Sequence, residues 1–259
     1  MNKPRIIFFD IDGTLLSPDT HRIPDSAKQA LADAKAQGVL LFIASGRHIN
    51  FVKADPWLGS FAFDGYVTLN GGYCIVGDDQ VIHHTPIERA DMQAALDYIA
   101  ANHATCVFCE RDRLYIGPDM QRDHEGINSN GPTTEDLARV QHNDIYQLSF
   151  LGLHHREGME AVMPSATTTS WAGDGFDVIA KATNKLAGVK QVVAHYGLSL
   201  TDAAAIGDGE NDMEMLQGVG WGIAMGNASD EVKAVASYIT DDIEADGLSK
   251  AMAYLLDRE

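Results

Sequence analysis

Ile6-Ile7-Phe8-Phe9-Asp10-Ile11-Asp12-Gly13-Thr14-Leu15 is the stretch on which the fold turns. Its apolar run suits a strand buried on both faces, and the strand ends in two carboxylates two positions apart. Residues so spaced on an extended chain share a face, and Gly13 permits a sharp turn just beyond them. Such a tip can hold a divalent cation, and a carboxylate beside a cation can act as a nucleophile while its neighbour manages protons. The same residues also suit a plain strand with an Asp-Gly turn, so other segments must decide.

Three of them do. Leu40-Leu41-Phe42-Ile43-Ala44 reads as a second buried strand and ends in Ser45-Gly46-Arg47, a hydroxyl and a guanidinium at another tip. Ala203-Ala204-Ala205-Ile206 runs into Gly207-Asp208-Gly209-Glu210-Asn211-Asp212, a strand, a glycine-rich turn and the start of a helix. Lys185 stands near the start of a helix expected over Asn184 to Tyr196, where free N–H groups and the helix dipole favour an anion. In an open parallel sheet, ligands bind beyond the carboxyl ends of the strands, so all four segments can face one crevice. A phosphoryl group suits that crevice: cation, ammonium and hydroxyl hold its oxygens while an aspartate attacks in line with the leaving oxygen.

In composition and order this constellation resembles the four motifs of the haloacid dehalogenase superfamily of phosphotransferases. Asp10-Ile11-Asp12-Gly13-Thr14 is similar to the first, Ser45 to the second, Lys185 to the third and Gly207 to Asp212 to the fourth. About a hundred residues, 81 to 182, separate the second motif's part of the chain from the third, the place where Cof-type (subfamily IIB) members carry an α/β cap. Thr68-Leu69-Asn70-Gly71-Gly72, Ala224-Met225-Gly226-Asn227-Ala228 and Asp246-Gly247-Leu248 also resemble that subfamily. The resemblance implies a Rossmann-like, mostly parallel α/β core over residues 1–80 and 183–259 with the cap inserted at 81–182. It further implies a Mg²⁺-dependent phosphatase in which Asp10 becomes an aspartyl phosphate and Asp12 is general acid, then general base. Asp10, the Asp12 carbonyl and Asp208 would hold the Mg²⁺, with Asn211 and Asp212 supporting from behind those ligands or through water. Ser45 and Lys185 would bind the phosphoryl group, and Arg47 and Asn70 would be lesser substrate contacts. In one departure, Leu186 stands where relatives commonly carry Gly, and Lys181 is a second lysine four residues before Lys185. Asp12 separates the chemistries: dehalogenating relatives lack this acid because halide leaves without a proton, whereas an alcohol needs one.

Composition narrows the alternatives. A length of 259 residues fits a core with an inserted unit, and no apolar run approaches a membrane span. The amino terminus enters the first strand without a secretory apolar region, and three cysteines are too sparse for a disulfide framework; both read as cytoplasmic. Cys106-Val107-Phe108-Cys109 reads as a buried strand with its thiols on opposite faces, not as a redox or zinc motif. His83-His84 and His154-His155 read as strand or surface residues. A net charge of −18 disfavours nucleic acid and anionic membranes as partners and also repels a phosphate ester, which independently calls for a bound metal beside Lys185 and Arg47. The expected partner is a small phosphorylated metabolite, with sugar phosphates foremost; the oligomeric state is left open.

Along the chain, Ala27, Ala30, Leu31 and Ala34 predict a helix over Asp25 to Gln37 that stops at Gly38. Strands are expected at 66–69 and 73–76, then a linker at Gly77-Asp78-Asp79. A helix around Met92 to Ile99 and strands at 105–109, 114–117, 145–151, 167–172 and 177–179, with a helix at 157–163, make the insert; Arg122 to Gln141 is unassigned. Helices at 184–196, 211–217, 229–236 and 247–257, with strands at 203–206 and 221–225, complete the core. Two other readings stay open: a phosphomutase of the same fold, which shares every motif, and a non-catalytic protein that binds a phosphorylated metabolite in the same pocket.

Overall fold

The computed structural model describes residues 3–77, 79–116, 133–134, 137–171 and 175–257. The first part of the chain runs β1 (Ile6–Phe9), α1 (Asp25–Ala36), β2 (Leu40–Ala44), α2 (Ile49–Ala54), β3 (Gly65–Thr68), β4 (Tyr73–Val76) and β5 (Gln80–His84). Next come α3 (Arg89–Asn102), β6 (Cys106–Cys109), β7 (Leu114–Ile116), β8 (Thr133–Thr134), β9 (Gln147–Leu151), α4 (Arg156–Val162), β10 (Ala166–Trp171) and β11 (Gly175–Ala180). The last part is α5 (Lys185–His195), β12 (Ala203–Gly207), α6 (Met213–Gly218), β13 (Trp221–Ala224), α7 (Asp230–Val235), β14 (Tyr238–Ile239) and α8 (Gly247–Leu256).

The described strands form two sheets. The larger has the order β14-β13-β12-β1-β2-β3-β4-β5, parallel as far as β3 and antiparallel at β4 and β5. The smaller has the order β10-β11-β9-β6-β7-β8 and is antiparallel except where β7 meets β8. β5 extends the larger sheet to His84, beyond the boundary expected at residue 80, so the crossing between sheets falls between His84 and Arg89. The expected linker residue Asp78, the ends of the strands expected to reach Gly117 and Ala172, and the unassigned stretch from Arg122 to Pro132 lie outside the described residues.

β1 is wholly apolar because both its faces are covered. Ile7 and Phe9 enter one core with Leu31 of α1 and Leu255 of α8, while Ile6 and Phe8 enter another with Val189 and Val192 of α5. Helices on both faces of a mostly parallel sheet make the doubly wound arrangement, and they leave the strand tips as the open edge. Cys106 and Cys109 likewise face different clusters, and burial pushes both thiols well up, so neither is a ready nucleophile.

Candidate active site

β1 lies between β2 and β12 with Phe9 level with Ile43 and Ile206, so Asp10 emerges beside Ala44 and Gly207. Ser45 and Asp208 stand one residue further along the flanking strands. The sheet register alone therefore brings three motif segments to one tip. α5 supplies the fourth: Asn184 caps it, its side chain accepting a hydrogen bond from the Ala187 N–H at 2.8 Å, and Lys185 is its first residue. Gly71 lets this turn sit close, since a Cβ there would lie 2.1 Å from the Asn184 carbonyl oxygen. Leu186, the residue after Lys185, packs against Gly218 at the end of α6.

Lys185 Nζ donates to Asp10 Oδ1 and to Asp212 Oδ1, each at 2.6 Å, in a pocket where Lys185 is 1% exposed. Lys181 is exposed, so the geometry selects Lys185 as the site lysine. Burial alone would lower the ammonium's pKa, but the Asp10 and Asp212 carboxylates outweigh it and hold Lys185 protonated. Burial lifts the Asp10 carboxyl well above the ordinary range; Lys185 opposes this, and Asp212, Asp208 and Asp12 reinforce it.

Asp208 is fixed from both sides. Thr14 Oγ1 donates to its Oδ1 at 2.8 Å, and Asn227 Nδ2 donates to its Oδ2 at 3.1 Å and to the Gly13 carbonyl at 2.9 Å. Burial raises its carboxyl to about 6, the Thr14 bond pulling the other way. Asp212 Oδ2 accepts the Asp208 and Gly209 N–H groups at 3.1 and 2.9 Å, so both its oxygens are engaged, as suits a group that supports ligands from behind. Asp10, Asp208 and Asp212 each offer an oxygen within 4.8 Å of the others. Three hard carboxylate oxygens, held by neighbours, fit a hard divalent cation better than a thiophilic one.

Asp12 points elsewhere. Arg47 grips its carboxylate at two points, Nε to Oδ2 at 2.9 Å and Nη2 to Oδ1, and also approaches Asp55 at 3.5 Å. The Asp12 side chain is therefore outside the carboxylate cluster, which leaves only its backbone for the metal role expected of it. Ser45 is 2% exposed, and its Oγ accepts the Arg47 N–H at 3.1 Å.

Asn70 departs from the substrate contact expected of it. Both hydrogens of its amide are donated, to Gln147 Oε1 at 3.1 Å and Asp177 Oδ2 at 2.9 Å, while its Oδ1 accepts from Asn211 Nδ2 at 3.0 Å. At 1% exposure it is a bridge between the two sheets, and Asn211 is tied to that bridge through its Nδ2. Sequence reading assigned no role to Thr14, Asn227, Gln147, Ser149 or Asp177. Asp177 carried a signal, a carboxylate between the apolar Phe176 and Val178 of one strand.

Carboxylates, a buried ammonium and a helix N-terminus converging at the tips of parallel strands define a phosphoryl-transfer hydrolase with a second α/β unit set over its site. The chain belongs to the haloacid dehalogenase-like hydrolase family, whose model matches residues 7–252, and within it is a Cof-type, subclass IIB phosphatase. YkrA of Bacillus subtilis (strain 168) is 32% identical over 255 residues, covering 97% of each chain. The 5-amino-6-(5-phospho-D-ribitylamino)uracil phosphatase YcsE of the same organism is 27% identical, covering 96% of this chain and 95% of its own. The structure of the subclass IIB sugar phosphatase BT4131 superimposes with a TM-score of 0.86 at 33% identity, covering 96% of this chain and 98% of that one. No described helix is long and apolar enough to cross a membrane.

Proposed function

We propose that this phosphatase hydrolyses small phosphorylated metabolites, sugar phosphates foremost, through an aspartyl phosphate on Asp10. The observation that carries the reading is the Lys185 ammonium 2.6 Å from the Asp10 carboxylate, at a strand tip that also presents Asp12 and Ser45. Asp10 attacks phosphorus, and the leaving oxygen takes a proton from Asp12. Asp12 then removes a proton from the water that releases phosphate. For the acid step, Asp12 has to leave the two-point grip of Arg47; a substrate oxygen that draws the guanidinium away frees it. Lys185 and the Ser45 hydroxyl hold the phosphoryl oxygens.

Charge balance supports a divalent cation here. Among the described residues, Arg47 pairs with Asp12 and Lys185 with Asp10 and Asp212, so both cations are already engaged, and Asp208 adds a fourth carboxylate. A phosphate dianion entering such a site needs further positive charge. Asp10, the Asp12 carbonyl and Asp208 would hold Mg²⁺, which when bound supplies charge to the transferring oxygens. The unit between Arg89 and Ala180 acts as a cap that closes over the crevice and selects the leaving group, and YcsE and BT4131 support a phosphorylated metabolite as its occupant.

Phosphate release from a panel of sugar phosphates, nucleotides and cofactor phosphates, with Mg²⁺ and after exhaustive chelation, tests the reading. Release from one or more small esters that stops on chelation and returns with Mg²⁺ is expected. Full activity without metal, or an isomerised product with no phosphate, contradicts it.

A further inference from the structure

Four buried or half-buried side chains, Asp177, Asn70, Gln147 and Ser149, form a closed ring of hydrogen bonds between the two sheets, and Asn211 branches from it. Asp177 of β11 accepts from Asn70 at 2.9 Å through Oδ2 and from the Ser149 hydroxyl at 2.7 Å through Oδ1. Gln147 of β9 accepts from Asn70 through Oε1 at 3.1 Å and donates through Nε2 to Ser149 Oγ at 3.0 Å and to the Gly46 carbonyl at 3.1 Å. Asn70 in turn receives Asn211 through its Oδ1 at 3.0 Å, and its own N–H donates to the Ser45 carbonyl at 3.1 Å. Every amide hydrogen of Asn70 and Gln147 is used, and both Asp177 oxygens have a partner.

The ring ends on the loops that do the chemistry. Gly46 lies between Ser45 and Arg47, and Asn211 adjoins Asp212. The backbone is also strained here: Leu69 and Asn70 both adopt left-handed conformations, at φ 51° and 52°. Consecutive non-glycine residues in that region persist only where their surroundings over-determine them, and two donor bonds from Asn70 into the cap do so.

We propose that Asp177 is a positioning residue: from the cap it fixes Asn70, and through Asn70 and Gln147 it sets the Ser45–Arg47 and Asn211 loops in catalytic register when the cap is closed. It works as a hydrogen-bond acceptor, touching no substrate. Loops displaced by about 1 Å cost phosphoryl transfer on the order of a hundredfold, whatever the leaving group. The inference rests on the phosphatase activity, which assay of the parent enzyme checks first and separately.

The test compares Asp177→Ala, Asp177→Asn, Ser149→Ala, Asn70→Ala and the Asn70→Ala/Asp177→Ala double variant. Nitrophenyl phosphate and two unlike metabolite phosphates serve as substrates, and thermal melts verify folding. Asp177→Ala should lower kcat by tenfold or more on every substrate while their relative kcat/KM values stay within threefold. Asp177→Asn, which keeps an acceptor for Asn70, should retain kcat within threefold of the parent. The double variant should be no worse than the poorer single one, because both changes break one path. Should Asp177→Ala fail to fold, Ser149→Ala carries the same test at a smaller loss, shared across substrates. An Asn variant as damaged as the Ala variant, a loss confined to one substrate, additive losses in the double variant, or folded variants with parental kcat would each overturn the proposal.

Discussion

Gly13 shows how tightly the first motif is bound to the fourth. Its φ is +82°, and a Cβ placed there would lie 2.2 Å from Asp208 Oδ2 and 3.1 Å from the Asn227 amide. Both the backbone conformation and the space exclude a side chain, so glycine here shapes the carboxylate cluster as well as the turn. Gly13→Ala is expected to destabilise the fold by about 2 kcal/mol and to cut kcat/KM at least tenfold, because Asp208 has to move away from Asp10. Thermal melts with phosphate release check it; a variant with parental activity would show that the cluster tolerates the shift. Lys185 is the electrostatic counterpart. One buried ammonium is shared by two carboxylates, so truncating Lys185 would leave both of them without their counter-charge.

Within elements, β11 carries the least expected residue. Burial lifts the Asp177 carboxyl to about 6, against hydrogen bonds from Ser149, Asn70 and Trp171 and the charge of Lys185. In the unfolded chain the same group titrates near an ordinary aspartate, about 3.9. Between those values the folded protein holds a proton that the unfolded chain has lost, so stability falls as pH rises from about 4 to about 6. Up to about 3 kcal/mol is at stake. Asp177→Asn, which removes the titration, should match the parent near pH 4 and exceed it in stability at pH 7. Urea denaturation at both values measures this, and an equal gap at the two pH values would contradict it. Such a role was not legible in the sequence, because residues 46, 70, 147, 149 and 177 meet only through the pairing of separate strands. Asp10, Asp12, Ser45 and Asp208 were legible because each follows an apolar run that announces its own strand, and Lys185 because it opens a helix behind Asn184. α2, six residues capped by His48, was too short to show a helical period, and β5, an exposed edge strand reading Gln-Val-Ile-His-His, lacked a buried face to pattern it.

At the scale of the whole molecule, an overall charge of −18 is set against a site where Lys185 and Arg47 are already engaged. The protein as a whole repels phosphate esters, so capture depends on local charge at the strand tips. The two sheets reach the site together: β11 leaves the cap at Ala180, and five residues later the chain delivers Lys185 to Asp10. The proposed reaction turns on one bond, between Asp10 and phosphorus, and that bond can be trapped. In Asp12→Asn the water step lacks its base, while nitrophenyl phosphate needs little protonation to leave, so the phosphoryl enzyme should accumulate. Mass spectrometry of acid-quenched, digested enzyme should then find one phosphoryl group on the peptide containing Asp10 and none when Asp10→Asn is added. Phosphate release by Asp10→Asn at the parental rate, or a phosphoryl group on any other residue, would contradict nucleophilic attack by Asp10.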